Sequence, residues 1–177
     1  MKRHIAVATL VVLLTMSLSA QQQDKSKRPS PPGTATVTFA DGKKVTIEYS
    51  RPFAKGREIF GGLVPYDQVW RTGANEATSL KTDTDLVIGD ATVHAGSYTL
   101  YTIPSKGSWK LIINKQNGQW GTDYDQSQDL ARVDMKVVPW EPVEQFTVSL
   151  DKTGAVSAKL NLDWEKTRAS ADVKEKK

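Results

Sequence analysis

Apolar and polar residues alternate with a period of two along much of this chain. Ala35, Val37 and Phe39 alternate with Thr36 and Thr38, and Val45, Ile47 and Tyr49 alternate with Lys44, Thr46 and Glu48. Between these runs lies Ala40-Asp41-Gly42-Lys43, and an Asp-Gly between alternating segments predicts a β-hairpin. The same period returns in Val133, Met135 and Val137, in Phe146, Val148 and Leu150, and in Val156, Ala158, Leu160, Leu162 and Trp164. Lys152-Thr153-Gly154 suits a three-residue hairpin loop with glycine at the left-handed position. Such strands put one face in the core and the other in water, as antiparallel sheets allow.

The middle of the chain is more uniformly apolar. Leu86-Val87-Ile88 runs into a Gly89-Asp90 turn, and Tyr98 to Ile103 and Trp109 to Ile113 alternate only weakly. That pattern predicts central strands covered on both faces. No helix is expected beyond a turn near Val64 to Trp70. The fold class is therefore all-β, an antiparallel β-sandwich of about nine or ten short strands.

One segment fits no such period. Gly56 to Thr78, GREIFGGLVPYDQVWRTGANEAT, is long for a connection in a small domain, and such loops are functional or disordered. Ile59, Phe60, Leu63, Val64, Tyr66, Val69 and Trp70 are too apolar to stay solvated, which predicts a packed, ordered loop. It carries Arg57, Glu58, Asp67, Arg71, Asn75 and Glu76 with it.

The ends of the chain have a different character. Residues 1–20 combine Lys2 and Arg3, an apolar run from Ile5 to Leu18, and small residues at Ser17, Ser19 and Ala20. This is the pattern of a cleaved signal peptide, and the run is short for a membrane span. No cysteine follows that could be lipidated, so the expectation is an exported protein, periplasmic or extracellular, without a membrane span after cleavage. Residues 21–33 read as a flexible polar linker, residues 34–167 as the β-sandwich domain, and residues 168–177 as a disordered charged tail.

Charge and composition narrow the function classes. The formal net charge is +4, but Thr34 to Trp164 holds 14 basic and 16 acidic residues. A nucleic-acid surface needs its basic residues on the folded body, so no nucleic-acid partner is expected. With 0 cysteines there is no disulfide framework and no thiolate nucleophile or metal ligand.

Four successive blocks carry a family resemblance: GREIFGGLVPYDQVWRTGANEAT, HAGSYTLYTIP, WKLIINKQNGQWG and LNLDWEKTR. Their order and composition resemble the bacterial family catalogued as domain of unknown function 2911, from about Val45 to Thr167. This chain departs at Val93-His94, where the family tends to have Leu-Pro before Ala-Gly. The resemblance implies an exported bacterial protein with a β fold and no established activity, and it transfers no catalytic residue.

The side-chain inventory leaves few chemistries. After the signal peptide His94 is the lone histidine, and in a turn before Ala95-Gly96 it reads as an exposed turn residue. Asp123, Asp125 and Asp129 alternate like a cation loop, but the turn glycine and distal glutamate of a calcium loop are missing, which favours a solvated acidic loop. No metal or other cofactor is expected. Trp109 and Trp164 fall in strands and read as core, whereas Trp120 and Trp140 fall between glycines and between prolines, on loops.

Two functions stand. One is a binding module for a small polar ligand, a glycan or a protein, using Arg57, Trp70, Arg71, Asn75, Glu76 and Trp120, with Trp70 packed beneath a patch on which the polar residues converge. The other is a hydrolase built on loop carboxylates, Glu76, Glu58 or Asp67, which would need a fixed carboxylate separation. The absence of a nucleophile–base motif favours the first.

Overall fold

Nine antiparallel strands form one continuous sheet in the computed structural model, which describes residues 24–177. The signal-peptide expectation lies outside the described residues. In chain order the strands are β1 (Pro32–Thr38), β2 (Lys44–Ser50), β3 (Thr78–Thr82), β4 (Leu86–Ile88), β5 (Ala91–Val93), β6 (Gly96–Ser105), β7 (Ser108–Asn114), β8 (Asp129–Gly154) and β9 (Ser157–Glu175). Their order across the sheet is β1-β2-β3-β6-β7-β8-β9-β4-β5. The all-β antiparallel class read from the alternation is the class of the structure. The described residues contain only two short 3-10 turns besides, at Lys25–Lys27 and Gln126–Gln128.

The sheet folds over on itself. In a flat sheet, β2 and β8 would lie about 19 Å apart, four steps of roughly 4.8 Å each. Instead the Tyr49 hydroxyl accepts a hydrogen bond from the Val148 N–H at 2.9 Å and lies 3.4 Å from its carbonyl. Beyond Met135, β8 has left β7 and pairs with β9 alone, so its other edge is bare. The chain around β1 and β2 covers that edge: Phe146 donates to Pro52, Ala54 to Glu144, and Ala40 to Ala155, all at 2.7–2.9 Å. Unpaired backbone groups on a buried edge are costly, and these contacts satisfy them.

The space enclosed is filled by the period-two residues. Val37, Val45, Ile47, Leu80, Leu100, Leu111, Ile113, Val148, Leu160 and Leu162 are all nearly inaccessible, together with the rings of Phe39, Tyr49, Phe60, Trp109, Phe146 and Trp164. Leu160-Asn161-Leu162-Asp163-Trp164 is buried on both faces. The central strands are also covered twice, as their weak alternation predicts: Tyr101 and Ile112, cross-strand partners, are buried on the opposite face from Leu111 and Ile113.

Three expectations are corrected. The tail is not disordered: β9 runs to Glu175, its Ala169, Ala171 and Val173 are buried, and its end pairs with β4. Small apolar residues at alternate positions supply the inward face, and the polar Ser170, Asp172 and Lys174 beside them disguise it. The described part of the linker is also held, with Pro32 and Gly33 in β1 and Arg28 bound to the long loop. Trp140, expected on a loop between its two prolines, lies inside β8, where two register shifts after Pro139 and Val143 absorb them.

Candidate functional site

The long loop is ordered by what it packs against. Trp70 exchanges backbone hydrogen bonds with Thr102 of β6, at 2.7 and 2.9 Å. Its indole stacks on Trp164 with centroids 5.8 Å apart, and meets Phe146 at 5.1 Å, Phe60 at 6.0 Å and Trp109 at 6.4 Å edge-on. Aromatic pairs in these geometries contribute about 0.5–1.5 kcal/mol each beyond their buried area. Trp70 is therefore an anchor for the turn that follows.

That turn is strained. Thr72 has φ 53° and Asn75 φ 58°, and a β-branched residue in the left-handed region is a real outlier. Neighbours hold it there: Thr78 donates to the Thr72 carbonyl at 2.7 Å, and the Thr72 and Thr102 hydroxyls lie 3.1 Å apart. The Asn75 amide donates to the Ser30 carbonyl at 3.1 Å and the Ser50 hydroxyl at 3.3 Å. Residues 75–77 then run antiparallel to 119–121, with Gly121 donating to Asn75 and Ala77 to Gln119. Position 121 admits only glycine, because a Cβ would overlap the Arg71 side chain and lie 2.8 Å from the Asn75 carbonyl.

The strained turn presents Glu76 to the N-terminal segment. Arg28 Nη1 lies 2.9 Å from each Glu76 carboxylate oxygen, and Lys25 Nζ lies 3.0 Å from one of them. Burial alone would push the Glu76 carboxyl up. Hydrogen bonds from Arg28, from its own N–H and from Lys25 outweigh it and hold the group at about 2. Glu76 is thus a fixed carboxylate at neutral pH, unsuited to act as a general acid.

Beside this pair opens a cleft of about 410 Å³. Its floor is the outer face of β1, β2 and β3, where Thr34, Glu48 and Ser79 stand side by side as cross-strand partners. The row continues under the β7–β8 connection as Thr99, Asn114 and Asp129. Arg28, Lys25 and Glu76 form one wall, and Gly118 and Gln119 another. Gln119 Nε2 donates to Thr99 and to the Tyr101 hydroxyl, leaving its Oε1 buried without a partner. Trp120 follows in the chain, bridges to Glu76 and is 47% exposed.

The candidates read from the sequence are divided by the structure. Asn75, Glu76 and Trp120 come together, with Arg71 packed against Gly121 beside them. Trp70 lies among the core rings. Arg57 does not join this patch: it donates to the Ala54 and Phe53 carbonyls and lines a different cleft with Glu58, Glu144 and Glu165. Asp67 accepts from Ser105. The convergence expected of Arg57 with Arg71, Asn75 and Glu76 is therefore absent, and Glu58, Asp67 and Glu76 turn to three different sets of neighbours.

Sequence reasoning missed Arg28, Lys25, Glu48 and Gln119. Glu48 could have been found as the one carboxylate on the outer face of the first hairpin; Arg28 had no local signal. Elsewhere the acidic loop is tied inward: Asp129 accepts from the Tyr124 hydroxyl at 2.7 Å and from Asn114 and Arg132 at 2.9 Å. His94 is exposed and pairs with Asp85 at 2.8 Å. Trp140 is 41% exposed, with the Arg168 guanidinium 3.5 Å from its ring centroid.

Residues 30–173 match a family model described as Protein of unknown function (DUF2911). No curated protein and no solved structure matches the chain.

Proposed function

Because the chain belongs to the DUF2911 family, whose description assigns no activity, we propose from its cleft that it is an exported binding module for a small polyhydroxylated ligand, such as the end of a glycan. The observation that carries this reading is the Thr34–Glu48–Ser79 row flooring the cleft. Hydroxyls that both donate and accept, beside a carboxylate that only accepts, match the donor and acceptor pattern of a polyol. Trp120, bridged to Glu76 next to the cleft though not among its lining residues, offers an apolar ring face, which a sugar's C–H face covers and a simple ion does not. Lys25 and Arg28 are balanced by Glu76 and Glu48, so the cleft selects hydrogen-bonding ligands rather than strongly charged ones.

The three loop carboxylates considered for hydrolysis also favour binding instead. A glycoside hydrolase needs two carboxyl groups facing one bond, one of them protonated. Glu76 is held ionised, and Glu58 and Asp67 turn elsewhere. Export rests on the pattern of residues 1–20, and the N-terminus of the protein recovered from its host, read by mass spectrometry, tests it.

The ligand experiment is a thermal-shift and calorimetric panel of mono- and oligosaccharides against the domain from Gln21 onward. A ligand at a hundredfold excess over its Kd stabilises by about 2.7 kcal/mol, which such a panel detects. The expected result is stabilisation by at least one saccharide, lost in Glu48→Gln and Trp120→Ala, both of which fold normally. A saccharide whose binding survives both substitutions, or a panel without a single hit, overturns the reading.

A further inference from the structure

A second cleft opens between the long loop, the β6–β7 hairpin, β8 and β9, and it shares no lining residue with the first. Its volume is about 280 Å³. Phe60, Tyr66 and Trp109 line it on one side, and the aliphatic edge of Val137, Val138 and Pro139 on the other. Lys106 and Lys166 stand among the lining residues, and no carboxylate does. Neither lysine is ion-paired among the described residues.

We infer that this cleft binds a small aromatic carboxylate, its ring against Phe60 and Trp109 and its acid group between Lys106 and Lys166. The ring requirement follows from what already sits there. Phe60 and Trp109 meet edge-on at 4.6 Å, and behind them come Trp70 and Trp164. A flat guest ring would extend that edge-to-face array, whose quadrupolar attraction an alkyl chain lacks. The size fits as well: an apolar cavity of roughly 150 Å³ holds benzene, so this cleft has room for one ring with a short acid arm.

The charge requirement is independent of the first. No carboxylate lines this cleft, although Lys166 also borders the adjoining one with Glu58, Glu144 and Glu165, and a ligand carboxylate between Lys106 and Lys166 would meet two ammonium groups. Lys106 lies 6.0 Å from the Tyr66 ring centroid, which places a cation beside the aromatic wall. Lys106 and Gly107 form the tip of the β6–β7 hairpin, since Ser105 and Ser108 are the last cross-strand pair. The cation therefore sits on an exposed turn that can adjust to a ligand without disturbing the core.

Phenylacetate is the probe, followed by calorimetry and by tryptophan fluorescence, with 2-phenylethanol as the neutral counterpart and hexanoate as the acyl counterpart. Phenylacetate should bind saturably and change the emission. The doubly substituted Lys106→Gln, Lys166→Gln protein should bind it at least about tenfold more weakly, because both charge-assisted contacts are lost. Both counterparts should bind the native protein at least about tenfold more weakly than phenylacetate. Both lysine substitutions lie on the surface, and an unchanged melting temperature confirms that the double variant folds. Failure of phenylacetate to saturate, equal binding by the double variant, or equal binding of either counterpart overturns the inference. None of these outcomes bears on the saccharide cleft.

Discussion

A single guanidinium nitrogen of Arg28 lies 2.9 Å from both carboxylate oxygens of Glu76, across 48 residues of sequence. The contact fastens the segment before β1 onto the end of the long loop just ahead of β3, and it is governed by one titration. The Glu76 carboxyl is lowered from 4.5 to about 2. A lowered carboxyl contributes stability that is complete above the unfolded pKa and is lost as pH falls through the folded one. Comparing urea melts of native protein and Glu76→Gln should show a constant difference at neutral pH that shrinks between pH 4.5 and 2. The side chain is 36% exposed, so after solvent screening the difference should be about 1 kcal/mol. A difference that did not change with pH would place the effect of the substitution elsewhere.

The two tryptophans at either end of the strained turn should respond oppositely to truncation. Trp70→Ala removes a ring that touches four others and should cost about 3–5 kcal/mol in chemical denaturation. Trp120→Ala should stay within about 0.5 kcal/mol, because half of that ring faces solvent. Similar losses would mean that Trp120 is structural.

The end of β9 should behave as core. Val173→Ala should destabilise by about 2 kcal/mol, two buried methyl groups plus the space they leave. Its exposed neighbour Lys174→Ala should be nearly neutral. Deletion from Arg168 onward should abolish cooperative unfolding, since it removes the partner of β4. A soluble, cooperatively melting truncation would contradict the strand.

At the alkaline end, burial first and the hydrogen bond to Asp129 second raise the Tyr124 hydroxyl to about 12. A group whose pKa is raised by folding favours the folded state below its unfolded value, and that advantage is lost as pH rises to the folded one. Absorbance titration should therefore show a phenol ionising near pH 12 that is absent in Tyr124→Phe. Stability of the native protein should decline from about pH 10 upward, and more steeply than that of the variant.

Strands were legible where one residue in two is apolar and the next is polar. The β1–β2 hairpin, with Ala35 opposite Ile47 and Val37 opposite Val45, follows from the alternation and its Asp-Gly turn. The end of β9 obeys the same rule, but Ala169 and Ala171 are too small to stand out among Arg168, Ser170 and Asp172. β8 hid its continuity because Pro139 and Pro142 normally end strands, whereas here two bulges accept them. The site was half legible. The Arg-Thr-Gly-Ala-Asn-Glu run marked the strained turn, and the apolar residues around Trp70 marked its anchor. Arg57 and Arg71 stood out because they share the loop with Glu76, whereas Arg28 lies 48 positions away, and only tertiary structure brings it to the carboxylate.

The hydrogen bond from Val148 to Tyr49 joins residues 99 positions apart, and it closes the edge of β8. A chain that emerges with its N-terminus first must therefore hold β1 and β2 incomplete until the last third of the sequence has followed. Until then their apolar faces have no opposite wall, and the hairpin is an open template for other chains. Folds dominated by such distant pairings form on the scale of milliseconds to seconds. The period of greatest hazard for this protein is thus the interval between the arrival of its first strand and of its last, when a holding chaperone would protect it most.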